Sequence, residues 1–90
     1  MSNKFKVLED QTAQQDVRYI SFMGNFRRYD FAIMDEKESD KKLVIDLRKN
    51  RFAVLGEDDF KEEGTIEHTF HVTEIEADEL REFLGNALYK

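Results

Sequence analysis

Apolar and polar positions alternate with a period of two through most of the first two thirds of the chain. "VRYISFM" and "FRRYDFAIM" carry the aromatic and β-branched residues that fit a pleated surface, and they flank Gly24-Asn25. Glycine first in a two-residue loop suits a type II′ hairpin turn, which needs a positive φ there. That turn predicts a register pairing Met23 with Phe26, Phe22 with Arg27, Ser21 with Arg28, Ile20 with Tyr29 and Arg18 with Phe31. One strip then holds Ile20, Phe22, Tyr29, Phe31 and Ile33. The other holds Val17, Tyr19, Ser21, Met23, Phe26, Arg28, Asp30, Ala32 and Met34. Neighbouring strand residues point to opposite faces, so Arg27 and Arg28 form no joint patch by being adjacent.

Leu43, Ile45 and Leu47 alternate with Val44, Asp46 and Arg48, the pattern of a half-buried strand. A tight turn near Lys49-Asn50 would set Phe52 and Val54 beside Leu47 and Ile45 as a second core-facing strip. Val44, Asp46, Arg48, Arg51, Ala53 and Leu55 would then face away. "IEHTFHV" predicts a fifth strand, Ile66, His68, Phe70 and Val72 against Glu67, Thr69 and His71. Thr73 followed by Glu76 matches a capping box. Ala77, Leu80, Phe83, Leu84, Ala87 and Leu88 then gather on one helical stripe, with Gly85-Asn86 as a plausible early end. Residues 1–16 read as a loose arm or an extra strand. The expectation is a single α+β domain over 1–90, with a mostly antiparallel sheet of about five strands in hairpins (17–72). One C-terminal helix (73–88) would pack on one face.

Composition narrows the class. Ninety residues bury only about 60% of the unfolded surface, which leaves no room for a second core. With no cysteine, neither disulfides nor a thiolate zinc site holds the fold. No apolar run resembles a signal peptide or a membrane span, so the expected location is the cytoplasm, with no membrane partner. The net charge of −6 is uneven. Residues 1–55 hold eleven Lys or Arg against nine Asp or Glu, and residues 56–90 hold three against eleven. The acidic second part repels a polyanion at long range, which disfavours duplex nucleic acid.

"VRYISFMGNFRRYDFAI", "NRFAVLGEDDF" and "EHTFHVTEIEADELREFL" together resemble a family of small cytosolic proteins of Gram-positive bacteria, a domain of unknown function. The resemblance spans about residues 17–88. It implies a bacterial cytosolic protein of one domain, and it brings no catalytic, metal or cofactor residue with it.

The residues themselves offer few chemical sites. His68 and His71 would point opposite ways on a strand and could not chelate one ion. The acidic stretches "DEKESD" and "GEDDFKEE" lack the spacing of a calcium loop. No phosphate loop or nucleophile elbow occurs, and Ser21 has no histidine placed to activate it. The expectation is therefore a non-catalytic chain without cofactor. With the helix on one face, Val17, Tyr19, Met23, Phe26, Met34, Val44 and Leu55 would leave an apolar field on the other, too large for a monomer to keep wet, so either residues 4–8 fold across it or a partner does. Such a field predicts a homo-oligomeric interaction module or, failing that, docking of a foreign protein. Arg28, Arg48 and Arg51 on that face define the alternative, binding of an anionic ligand or single-stranded RNA with Tyr19 and Phe26 as stacking platforms.

Overall fold

A computed structural model describes residues 5–89. Strands β1 (Arg18–Met23), β2 (Arg28–Asp35), β3 (Lys42–Asp46) and β4 (Arg51–Leu55) form one antiparallel sheet in the order β1-β2-β3-β4. A 3-10 turn (Glu57–Phe60), a short helix α1 (Thr65–Phe70) and a long helix α2 (Glu74–Tyr89) complete the fold. It is α+β with a C-terminal helix, as the pattern predicts, but with four strands rather than five.

The predicted fifth strand is helix α1, so the sheet ends at Leu55 rather than near residue 72. Ile66 and Phe70 are four residues apart, a spacing that suits one helical face as well as one strand face, so periodicity alone could not separate the two. The local backbone decides. Gly64 enters α1 at φ 88 and His71 leaves it at φ 53, both left-handed, and Ile66 and Phe70 end fully buried. His68 lies on the exposed side of the helix, and His71 is its C-cap.

Both hairpins have longer loops than expected. Met23 pairs with Arg28, leaving Gly24–Arg27 as a four-residue loop closed by the Gly24 amide on the Arg27 carbonyl at 2.9 Å. The register thus slips by two, so each side chain keeps its predicted face: Ile20 now opposes Phe31, and Phe22 opposes Tyr29. Asp46 pairs with Arg51 across a second four-residue turn, where Asn50 takes φ 54. The Asp46 carboxylate accepts the Arg48 and Lys49 amides at 3.1 and 3.2 Å and so builds that turn.

The second hairpin faces the other way from the prediction. Ile33 pairs with Val44, and Phe31 with Asp46, so Val44, Asp46, Ala53 and Leu55 lie on the helix-covered face. Leu43, Ile45, Phe52 and Val54 lie on the bare one. Parity is set across the charged loop between β2 and β3, where the Asp35–Lys42 pair and its ion pair close the ladder. No hydrophobic pattern marks that count. The more apolar strip consequently points away from the core, while Asp46 is buried at 1% exposure.

On the covered face Tyr29, Phe31, Ile33, Val44 and Leu55 meet Phe60, Ile66, Phe70, Ala77, Leu80 and Leu84. Phe31 sits edge-on to Phe70 at 5.9 Å, and Phe22 stacks on Phe83 at 4.0 Å. The capping box predicted for α2 is present, with the Glu76 amide donating to Thr73 Oγ1 at 3.2 Å and the Thr73 amide donating to Glu76 Oε1 at 3.0 Å. The helix continues through Gly85-Asn86 to Tyr89, whose hydroxyl donates to the Leu55 carbonyl at 3.0 Å. Leu88 and Tyr89 pack against the core, and that burial carries the helix past its predicted end. Among the described residues no helix is long and apolar enough to cross a membrane.

Candidate functional site

The bare face is built by register. Tyr19 pairs with Ala32, Ala32 with Ile45, and Ile45 with Phe52, so one row crosses all four strands. Tyr19 and Phe52 stand on the edge strands at 73% and 71% exposure, while Ala32 between them is 4% exposed. Ala32 and the half-buried Ile45, lying between the two tall aromatics, make a shallow trough along the strand direction. Met34, Leu43 and Val54 form the next row of that face.

Of the predicted interface residues, Tyr19 and Met23 lie exposed on this face, and Met34 lies on it half-buried. Val17, one residue before β1, is 39% exposed. Phe26 is exposed in the hairpin loop rather than on a strand. Val44 and Leu55 are corrections. Both are core residues on the covered face, and Leu43, Ile45, Phe52 and Val54 stand in their place. The β3 alternation had already grouped those four residues; only the side of the sheet was beyond its reach.

The three arginines separate. Arg28 and Arg48 both donate to the Asp30 carboxylate, which also accepts the Ser21 hydroxyl at 2.6 Å. The Ser21 hydroxyl first, and then the Arg48 guanidinium, hold the Asp30 carboxyl down at about 2. Arg51 belongs to the other side of the sheet, exposed beside Asp46. Arg48 lies in the four-residue turn and Arg51 opposes Asp46, so the two arginines do not share the face predicted for them.

Sequence reasoning missed a clamp between the first hairpin and α2. Glu79 accepts the Tyr29 hydroxyl at 2.8 Å through one oxygen and the Asn25 amide through the other. Arg27 pairs with Glu76 and lies over the Tyr29 ring at 4.0 Å from its centroid. Burial first, and then the hydrogen bond to Glu79, push the Tyr29 phenol well above its ordinary range. The Glu76 carboxyl is held at about 2, first by the Thr73 amide and then by Arg27. Gly24 is required by closeness, since a Cβ there would lie 2.5 Å from Glu79 Oε1 and 2.7 Å from Tyr29 Cε2. Glu76 and Glu79, three apart on the helix, were the one available hint of a shared face.

The acidic stretches meet around a cleft lined by Asp35, Asp40, Glu57, Asp58 and Asp59, with Tyr89 at its side. Burial first, then Asp59 and Glu57, raise the Tyr89 phenol. Among the described residues no group of three His, Asp or Glu is placed to hold a metal ion.

The family model described as SAV0927-like matches residues 8–86, and the chain belongs to that family. No curated protein matches the chain.

Proposed function

We propose that this chain is a non-catalytic, cytoplasmic interaction module that associates with a second copy of itself through the bare sheet face. The observation that carries this reading is the row Tyr19–Ala32–Ile45–Phe52, apolar throughout, on the side no helix covers. Exposed aromatic and methionine side chains with arginines at the margin have the make-up of an interface core and rim. The net charge of −6 argues for contact through this face rather than through the acidic helical side. Arg28 and Arg48 share the Asp30 carboxylate and Arg51 lies on the other side of the sheet, so the three arginines form no joint site for a phosphate or RNA strand.

Sedimentation equilibrium tests the reading. The wild type should form dimers, and Tyr19→Glu with Phe52→Glu should yield a folded monomer, because the two like charges would be buried uncompensated. A wild type that stays monomeric at about 100 µM, where a dimerisation free energy of about −5.5 kcal/mol would already show, rules the proposal out.

A further inference from the structure

We infer that the dimer is completed by arm exchange, residues 5–10 of each copy lying in the trough of the other. This inference rests on the self-association proposed above and names what fills the interface. The first argument is area. Four strands at about 4.8 Å spacing and five or six residues at about 3.4 Å give the bare face a footprint of roughly 400 Å². Two such faces together fall short of the roughly 1,200 Å² at which stable interfaces begin. Flat face-on-face contact leaves the dimer incomplete.

The second argument is the arm itself. Residues 5–16 form no helix or strand, and Phe5, Val7 and Leu8 stand at 88%, 74% and 89% exposure. Three large apolar side chains within four residues, all solvated, are the complement the trough lacks. Phe5 alone can bury about 150–250 Å².

The third argument is position. The Gln15 side chain donates to the Asp35 carbonyl at the end of β2. Gln11, Ala13 and Gln15 line a groove with Met34 and Leu43, so the arm leaves along the corner of the bare face. The molecule measures 56 Å along one axis, against 26 and 23 Å along the others. Twelve residues reach about 40 Å when extended, enough to cross a facing copy. Two-fold symmetry makes the exchange reciprocal, each arm starting where the partner's trough opens.

Charge fits as well. Arg28 and Arg48 share one carboxylate, which leaves the far end of the bare face one positive charge in surplus. Glu9-Asp10 follows directly on Leu8 in the arm. With Val7 and Leu8 in the trough, those carboxylates come within a residue or two of the partner's arginines.

Two measurements decide the matter. Residues 5–10 hold no strand, helix or core residue, so on removal of residues 1–10 the fold should persist by circular dichroism while dimerisation weakens about tenfold or more. The chain has no tryptophan, so Leu8→Trp supplies a single reporter whose emission should shift to the blue in step with the rise in mass on concentration. If the shortened chain dimerises as tightly as the wild type, arm exchange is wrong and face-to-face association stands. Blue emission that persists in the diluted monomer means that the arm covers its own face, which also overturns the exchange. A wild type that is monomeric throughout removes both the exchange and the self-association beneath it.

Discussion

The two faces of the sheet are cut from the same alternating sequence and meet different fates. The covered face takes Tyr29, Phe31, Val44 and Leu55 to near-zero exposure under α1, α2 and the 3-10 turn. It also accepts a carboxylate, Asp46, because that group has turn amides to bind. The bare face has the larger aliphatic strip yet leaves Tyr19, Met23 and Phe52 in solvent. Apolarity therefore does not decide which side becomes the core. The side that the helices can reach with matched partners does, and the remaining apolar surface is free for other use.

The sharpest way to break this contrast is by truncation to alanine on each face. Leu80→Ala, beneath the covered face, should cost about 2–5 kcal/mol, a large part of a small domain's stability. Denaturant unfolding at low protein concentration reads it directly. Phe52→Ala at the same concentration should cost far less, and equal losses would mean that the bare face is covered within the monomer.

Next in size is Gly24→Ala. Its Cβ would press on the Glu79 carboxylate and the Tyr29 ring, and displacing the clamp should cost about 1–3 kcal/mol. The shift in denaturant midpoint measures it. A neutral result would show that Glu79 can withdraw freely and that the clamp adds nothing to the covered side.

Acid sharpens the comparison further, since each face has one depressed carboxyl. Glu76 sits at about 2 against an ordinary 4.5, and Asp30 at about 2 against 3.8. A folded value below the unfolded one stabilises above the unfolded pKa, and that stabilisation is lost as pH falls toward the folded pKa. Both contributions are thus intact at neutral pH, that of Glu76 fading between pH 4.5 and about 2 and that of Asp30 between 3.8 and about 2. Glu76 is paired with a mostly buried Arg27, whereas the arginines on Asp30 are more than half exposed and better screened. Glu76→Gln should therefore flatten the acid limb of stability more than Asp30→Asn, as thermal melts across that range would record.

The smallest effect on the monomer should come from Tyr19→Ser. At dilutions where only monomer is present it should change stability by less than about 0.5 kcal/mol, as a surface substitution does, while weakening association at higher concentration. A loss of fold in the dilute variant would place Tyr19 in the core and erase the distinction between the faces.

What the sequence could tell follows the same division. Faces within each hairpin were legible, because alternation survives a slip of two, and so was the N-terminus of α2, because Thr73 and Glu76 encode the cap locally. The side taken by β3 and β4 was not, since it depends on parity across a solvated loop. Nor was α1, whose Ile66 and Phe70 satisfy both periods. For the interface, Tyr19 and Met23 were found from local alternation, whereas Val44 and Leu55 were exchanged for Ile45 and Phe52 by that one parity. The Glu79 clamp joins residues fifty or more positions apart and leaves no local mark.

That separation also bears on the order of events in folding. The hairpin tip at Gly24-Asn25 precedes its anchor on Glu79 by more than fifty residues, so it is synthesised well before that anchor. Until then the face destined for the core has no lid, so the nascent sheet exposes both sides at once. We expect the hairpin-to-helix contact to close late, because it closes a loop of more than fifty residues. A late contact is absent from the transition state, so Gly24→Ala should speed unfolding and leave the refolding rate nearly untouched in stopped-flow chevrons.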